Sequence, residues 1–120
     1  MACEQKYYGR KYYGRVKLLI KNGADVNAKN DFGQTPLHRA CEYCNYKISK
    51  FLIENGADVN AKDQDGVTPL HYACHWEYGS YKVIKFLIEN GADVNAKDND
   101  GQTPHSIKGL SLSSMKQVNC

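Results

Sequence analysis

The chain has 120 residues, 42% of them apolar and 24% charged, the size and balance of one soluble domain. Five cysteines, an odd number, argue against a disulfide framework, and no apolar run approaches the roughly 18 residues that a membrane span requires. The net charge of +3 is unevenly placed: residues 1–30 hold seven Lys/Arg against Glu4 and Asp25, while residues 31–120 hold nine against eleven acidic groups.

Met1 to Arg15 is polar and basic, without the apolar core of a secretory leader. Cys3 and Cys120 read as free thiols of a reducing compartment, so the expected location is cytoplasmic, with export by other signals left open. Lys6 to Arg15 is a tandem pentapeptide, KYYGR-KYYGR. One reading takes it as a basic-aromatic nucleic-acid segment, stacking tyrosines on bases and neutralising phosphates. The favoured reading is a local duplication inside a degenerate first unit, with Tyr12 and Tyr13 starting its second helix, which continues through Val16, Leu18, Leu19 and Ile20.

Further along, Thr35 and Thr68 are expected helix N-caps, with Pro36 and Pro69 at the first helical position, where a missing N–H costs nothing. A short first helix carries Leu37, Ala40 and Cys41, or Leu70, Ala73 and Cys74. A second carries Ile48, Phe51 and Leu52, or Val83, Ile84, Phe86, Leu87 and Ile88, near the helical period. Gly23, Gly56 and Gly91 fit the left-handed residue that ends a helix. Turns follow at Asp31-Phe32-Gly33, Gln64-Asp65-Gly66 and Asn99-Asp100-Gly101. Two extra residues between Ala73 and Gly79 lengthen the first helix of the second unit or bulge its end.

These units are copies. KFLIENGADVNAKD occurs at Lys50–Asp63 and unchanged at Lys85–Asp98, with a looser copy at Lys17–Asn30. Thr35-Pro36-Leu37-His38 returns as Thr68-Pro69-Leu70-His71 and, damaged, as Thr103-Pro104-His105. The pattern D-x-x-G-x-T-P-L-H-x-A-C, then a helical stretch, then G-A-D-V-N-A-K resembles the ankyrin repeat. The resemblance implies an all-α helix-turn-helix solenoid with protruding turns, divided as a partial repeat (1–30), two complete repeats (31–63 and 64–98) and a truncated repeat with an irregular tail (99–120). In that tail, Ile107, Leu110 and Leu112 are the residues able to cover the exposed end. About three units are usually needed for stability, so marginal folding is expected.

The resemblance also implies a non-enzymatic scaffold for protein–protein interaction, with no cofactor, no metal and an unidentified protein partner. The family's contact positions map to Asp31, Phe32, Gln34, Arg39, Glu42 and Tyr43 in the first full repeat. They map to Gln64, Asp65, Val67, Tyr72, His75 and Trp76 in the second, and to Asn99, Asp100 and Gln102 in the partial third. Tyr72 and Trp76 could instead pack between repeats. In the family, His38 and His71 tie neighbouring turns together, and an Asn such as Asn27, Asn60 or Asn95 can be hydroxylated. A decayed fragment of a larger ankyrin protein, without activity of its own, is the alternative from another class. Cys41-x-x-Cys44, with His71-x-x-Cys74-His75, is the best candidate for a redox pair or zinc site, but its spacing is wrong for paired knuckles and Cys41 and Cys74 fall on packing positions.

Overall fold

The structure, a computed structural model, describes residues 6–75 and 81–104, with the side chains of residues 6–12 outside that description. Trp76, Gly79, His105 and the tail from Ser106 therefore lie outside it. The described part is five helices joined by turns: α1 (Lys6–Lys21), α2 (Pro36–Glu42), α3 (Tyr46–Glu54), α4 (Pro69–Cys74) and α5 (Tyr81–Glu89). α2 and α3 form one hairpin and α4 and α5 the next, with α1 packed on α3 and α3 on α5.

The caps arise as the residue types dictate. Thr35 Oγ1 accepts the His38 backbone N–H at 3.4 Å, and His38 Nδ1 accepts the Thr35 N–H at 3.0 Å. Thr68 and His71 repeat this reciprocal cap at 3.3 and 3.1 Å. Each closes two donors that a helix start would otherwise leave orphaned. Between the hairpins lies one continuous apolar cluster, including Leu37, Cys41, Ile48, Leu52, Leu70, Cys74, Val83 and Leu87. Cys41, Cys44 and Cys74 are buried free thiols. Burial drives the Cys41 thiol up to about 12, so it stays protonated and serves as a small apolar filler.

One sequence expectation is corrected, and one of two alternatives is excluded. α1 begins at Lys6 rather than at Tyr12 or Tyr13, so the tandem pentapeptide is helical throughout. Gly9 and Gly14 cost helix propensity but do not interrupt it, and packing of Tyr13, Val16 and Ile20 on the core holds the helix. α4 is not lengthened by the insertion: it spans six residues and ends at Cys74, while α2 spans seven. The bulge alternative falls on residues 76–80, outside the described part. Between α2 and α3, Cys44 takes φ 56°, a left-handed conformation uncommon for a residue other than glycine.

Candidate partner-binding face

Each turn is built the same way. In the first, Asn30 Oδ1 accepts the N–H groups of Phe32 (2.9 Å) and Gln34 (3.0 Å). Asp63 does this for Asp65 and Val67 at 2.8 and 3.0 Å, and Asp98 for Asp100 and Gln102 at 2.9 Å each. The turns then pair with one another: Gln64 N–H donates to Phe32 O at 3.1 Å, and Asn99 N–H to Asp65 O at 2.9 Å. Gly33 and Gly66 sit at φ +78° and +76°, and a Cβ on them would stand 2.8 Å from Gln64 N and 2.6 Å from Asn99 Oδ1. Glycine is required there for conformation and for closeness together.

Below the turns, the His38 ring bridges repeats through Nε2 to Val67 O at 2.8 Å, and His71 does so to Gln102 O at 2.8 Å. The carbonyls can only accept, so Nε2 carries the proton in both. On the opposite edge, Asn27 Nδ2 donates to Gly56 O (3.1 Å) while its Oδ1 accepts the Asp58 N–H (2.8 Å). Asn60 repeats that clip on Gly91 O (3.0 Å) and Asp93 N–H (2.8 Å). Both are turn residues, and their side chains fasten one repeat to the next. The period of the repeat was the available signal: a polar residue that recurs every repeat at an exposed turn has a partner one repeat away.

The residues expected to touch a partner divide in two. Phe32 is 60% exposed at its turn tip and Tyr43 47% exposed at the end of α2. Arg39 lies over the Tyr43 ring at 5.5 Å, donates from Nη2 to its hydroxyl at 3.2 Å and faces Glu42 at 3.7 Å, so this group is ordered before any contact. Asp31, Gln64, Asp65, His75, Asn99 and Asp100 are likewise exposed. Gln34, Val67, Tyr72 and Gln102 are half-buried and bonded within the stack. Tyr72 Oη donates to Asp63 Oδ2 at 2.6 Å and accepts from Gln34 Nε2 at 2.9 Å, with its ring edge-to-face on His38 at 5.3 Å. Burial, followed by the Asp63 hydrogen bond, pushes the Tyr72 phenol up to about 12. Trp76 lies outside the described residues.

In α1, Tyr13 packs edge-to-face on Phe51 at 5.9 Å, with the Lys17 and Lys47 ammonium groups 5.8 and 5.4 Å from its ring centre. That tyrosine is engaged with the neighbouring repeat. Among the described residues no group of three or more His, Cys, Asp or Glu side chains is placed to hold a metal ion, and no helix is long and apolar enough to cross a membrane.

A stack of helix hairpins with paired turns, histidine ties and asparagine clips defines a repeat solenoid. A family model described as ankyrin repeats, three copies, matches residues 2–98, and the chain belongs to the ankyrin-repeat family. Among curated relatives, the E3 ubiquitin-protein ligase XBAT33 of Arabidopsis thaliana is 52% identical over 33 residues, 28% of this chain and 6% of that protein. A Saccharomyces cerevisiae protein named as probable 26S proteasome regulatory subunit p28 is 38% identical over 48 residues, 40% of this chain and 21% of its own length. An ankyrin repeat protein of Rickettsia bellii is 53% identical over 34 residues, 28% of this chain and 14% of that protein. The chain thus matches at most 21% of the length of any of these three relatives.

Proposed function

We propose that the chain is a binding scaffold that engages a protein partner through its turn tips and first helices, and performs no chemistry of its own. The supporting observation is the pair Phe32 and Tyr43. Both rings stay in solvent, whereas Tyr13, Tyr46 and Tyr72 each pack edge-to-face on a ring of a neighbouring repeat. Leaving an aromatic exposed contributes nothing to the solenoid core, and interfaces concentrate binding energy in Tyr, Trp and Arg. The Arg39–Tyr43 stack is pre-ordered, which lowers the entropy lost on contact. Ankyrin repeats are generally protein-interaction modules, and fold alone does not name the partner.

The test compares the wild-type chain with the Phe32→Ala/Tyr43→Ala variant as immobilised bait, with far-UV circular dichroism as control. Both side chains are exposed, so the helical signal should be unchanged. Proteins held by the wild type and released by the variant would support the reading. Identical retention by both would sink this choice of face.

A further inference from the structure

Repeats in this chain join through a fixed set of contacts, and among the described residues each end of the stack exposes one unmatched half of that set. Tyr13 packs on Phe51, and Tyr46 on Phe86 at 5.6 Å, so each repeat offers a tyrosine to an apolar ring or chain of the next. The next tyrosine in register, Tyr81, is 60% exposed, and Leu18, which stands where Phe51 and Phe86 stand, is 65% exposed. Leu19 occupies the position of Leu52 and Leu87, which are 0% exposed, yet is itself 60% exposed.

The polar clips are unmatched in the same register. Asn27 and Asn60 each clasp the next repeat, while the Asn95 side chain has no partner among the described residues. Gly23 O and Asp25 N–H, the counterparts of the Gly56 and Asp58 groups that Asn27 holds, are likewise unclasped among the described residues. Charge is complementary as well. α1 carries six Lys/Arg and no acid, whereas residues 89–104 carry Glu89, Asp93, Asp98 and Asp100 against Lys97.

We propose that a second copy of this chain docks head to tail on the first. Tyr81 and Asn95 of one copy meet Leu18 and the Gly23–Asp25 turn of the other, continuing the internal stack across the junction. The two faces differ, so the contact is heterologous and each junction leaves one free face at either end of the assembly. The opposed charges make the association weaken as salt rises.

Analytical ultracentrifugation over a concentration series, at low and high salt, reads this directly. The weight-average mass should climb with concentration and fall back with salt. Two single-face variants, Leu18→Glu and Asn95→Asp, alter exposed side chains and should keep the wild-type circular dichroism. Leu18→Glu alone should stay monomeric. Asn95→Asp can no longer donate to Gly23 O, and its association should weaken on the order of tenfold, the equivalent of about one lost charge-free hydrogen bond. A Leu18→Glu/Tyr81→wild-type copy mixed with a Leu18→wild-type/Tyr81→Glu copy, each monomeric by itself, should form a dimer that stops at two chains. A wild-type mass that stays at one chain up to millimolar concentration would overturn the proposal. So would mixing that fails to restore a dimer, since symmetric pairing of two α1 helices would then explain any association.

Discussion

The His38 imidazole donates from Nε2 to the Val67 carbonyl at 2.8 Å while its Nδ1 accepts the Thr35 N–H at 3.0 Å. Both ring nitrogens are thus committed in the neutral form, and the residue is fully buried. Desolvation lowers its pKa below the ordinary histidine value of 6.5, outweighing the raising effects of Val67 and Asp63. The unfolded chain therefore binds a proton near pH 6.5 that the folded chain refuses. Stability is full above that pH and falls on acidification, until the lowered folded pKa is reached. The slope from this one group is at most about 1.4 kcal/mol per pH unit. Urea midpoints measured between pH 7.5 and 5 should fall, and the His38→Gln variant should flatten part of that fall.

Asn60 and Asn95 are the same residue in the same local sequence, but among the described residues only the Asn60 side chain clasps a following repeat. Asn60→Ala removes the bonds to Gly91 O and Asp93 N–H and should cost about 1–2 kcal/mol, the site being open to water. Asn95→Ala should change the stability of the dilute monomer by less than about 0.5 kcal/mol. Paired urea curves decide this, and equal losses would show that the clip contributes through its own turn rather than through the neighbour.

Cys44 holds a left-handed backbone at φ 56° with its thiol buried. That conformation costs a non-glycine residue roughly 1–2 kcal/mol. Cys44→Gly should therefore fall within about 1 kcal/mol of wild type, relief of the backbone offsetting lost packing. Cys44→Val, β-branched at positive φ, should lose about 2 kcal/mol or more relative to the glycine variant. Thermal melts of the three proteins in reductant make the comparison, and a valine variant as stable as the glycine one would contradict the left-handed assignment.

Tyr72 reaches across two repeats, binding Asp63 at 2.6 Å and Gln34 at 2.9 Å. Removing the hydroxyl leaves a half-buried carboxylate oxygen with one donor fewer. Tyr72→Phe should lose about 1.5–3 kcal/mol, the range for a hydrogen bond to a charged group. Urea midpoints of Tyr72→Phe, Asp63→Asn and the double variant check this, and losses that simply add would contradict a bond between the two side chains.

Much of this was legible before any coordinate. The period, the Thr-Pro-Leu-His caps and the glycines at 23, 56 and 91 are local signals, because a cap or a left-handed residue is set by its immediate neighbours. The fate of individual copies was not local. Leu19 and Leu52 share a sequence context, yet one is exposed and the other fully buried, since burial depends on what lies one element away.

For the candidate face, chain register marked out Phe32 and Tyr43 but could not separate them from Tyr72, whose hydroxyl is claimed by Asp63 and Gln34 of the preceding repeat. Nor could it place the start of α1, where the helix propensity of a glycine-containing pentapeptide is weak. The sequence by itself determined the repeat, its caps and its turns, through short-range sterics and backbone hydrogen bonding. Only the tertiary structure decided which copies of a repeated residue are clasped, buried or left open, because identical side chains acquire different energies according to whether a neighbour is there to meet them.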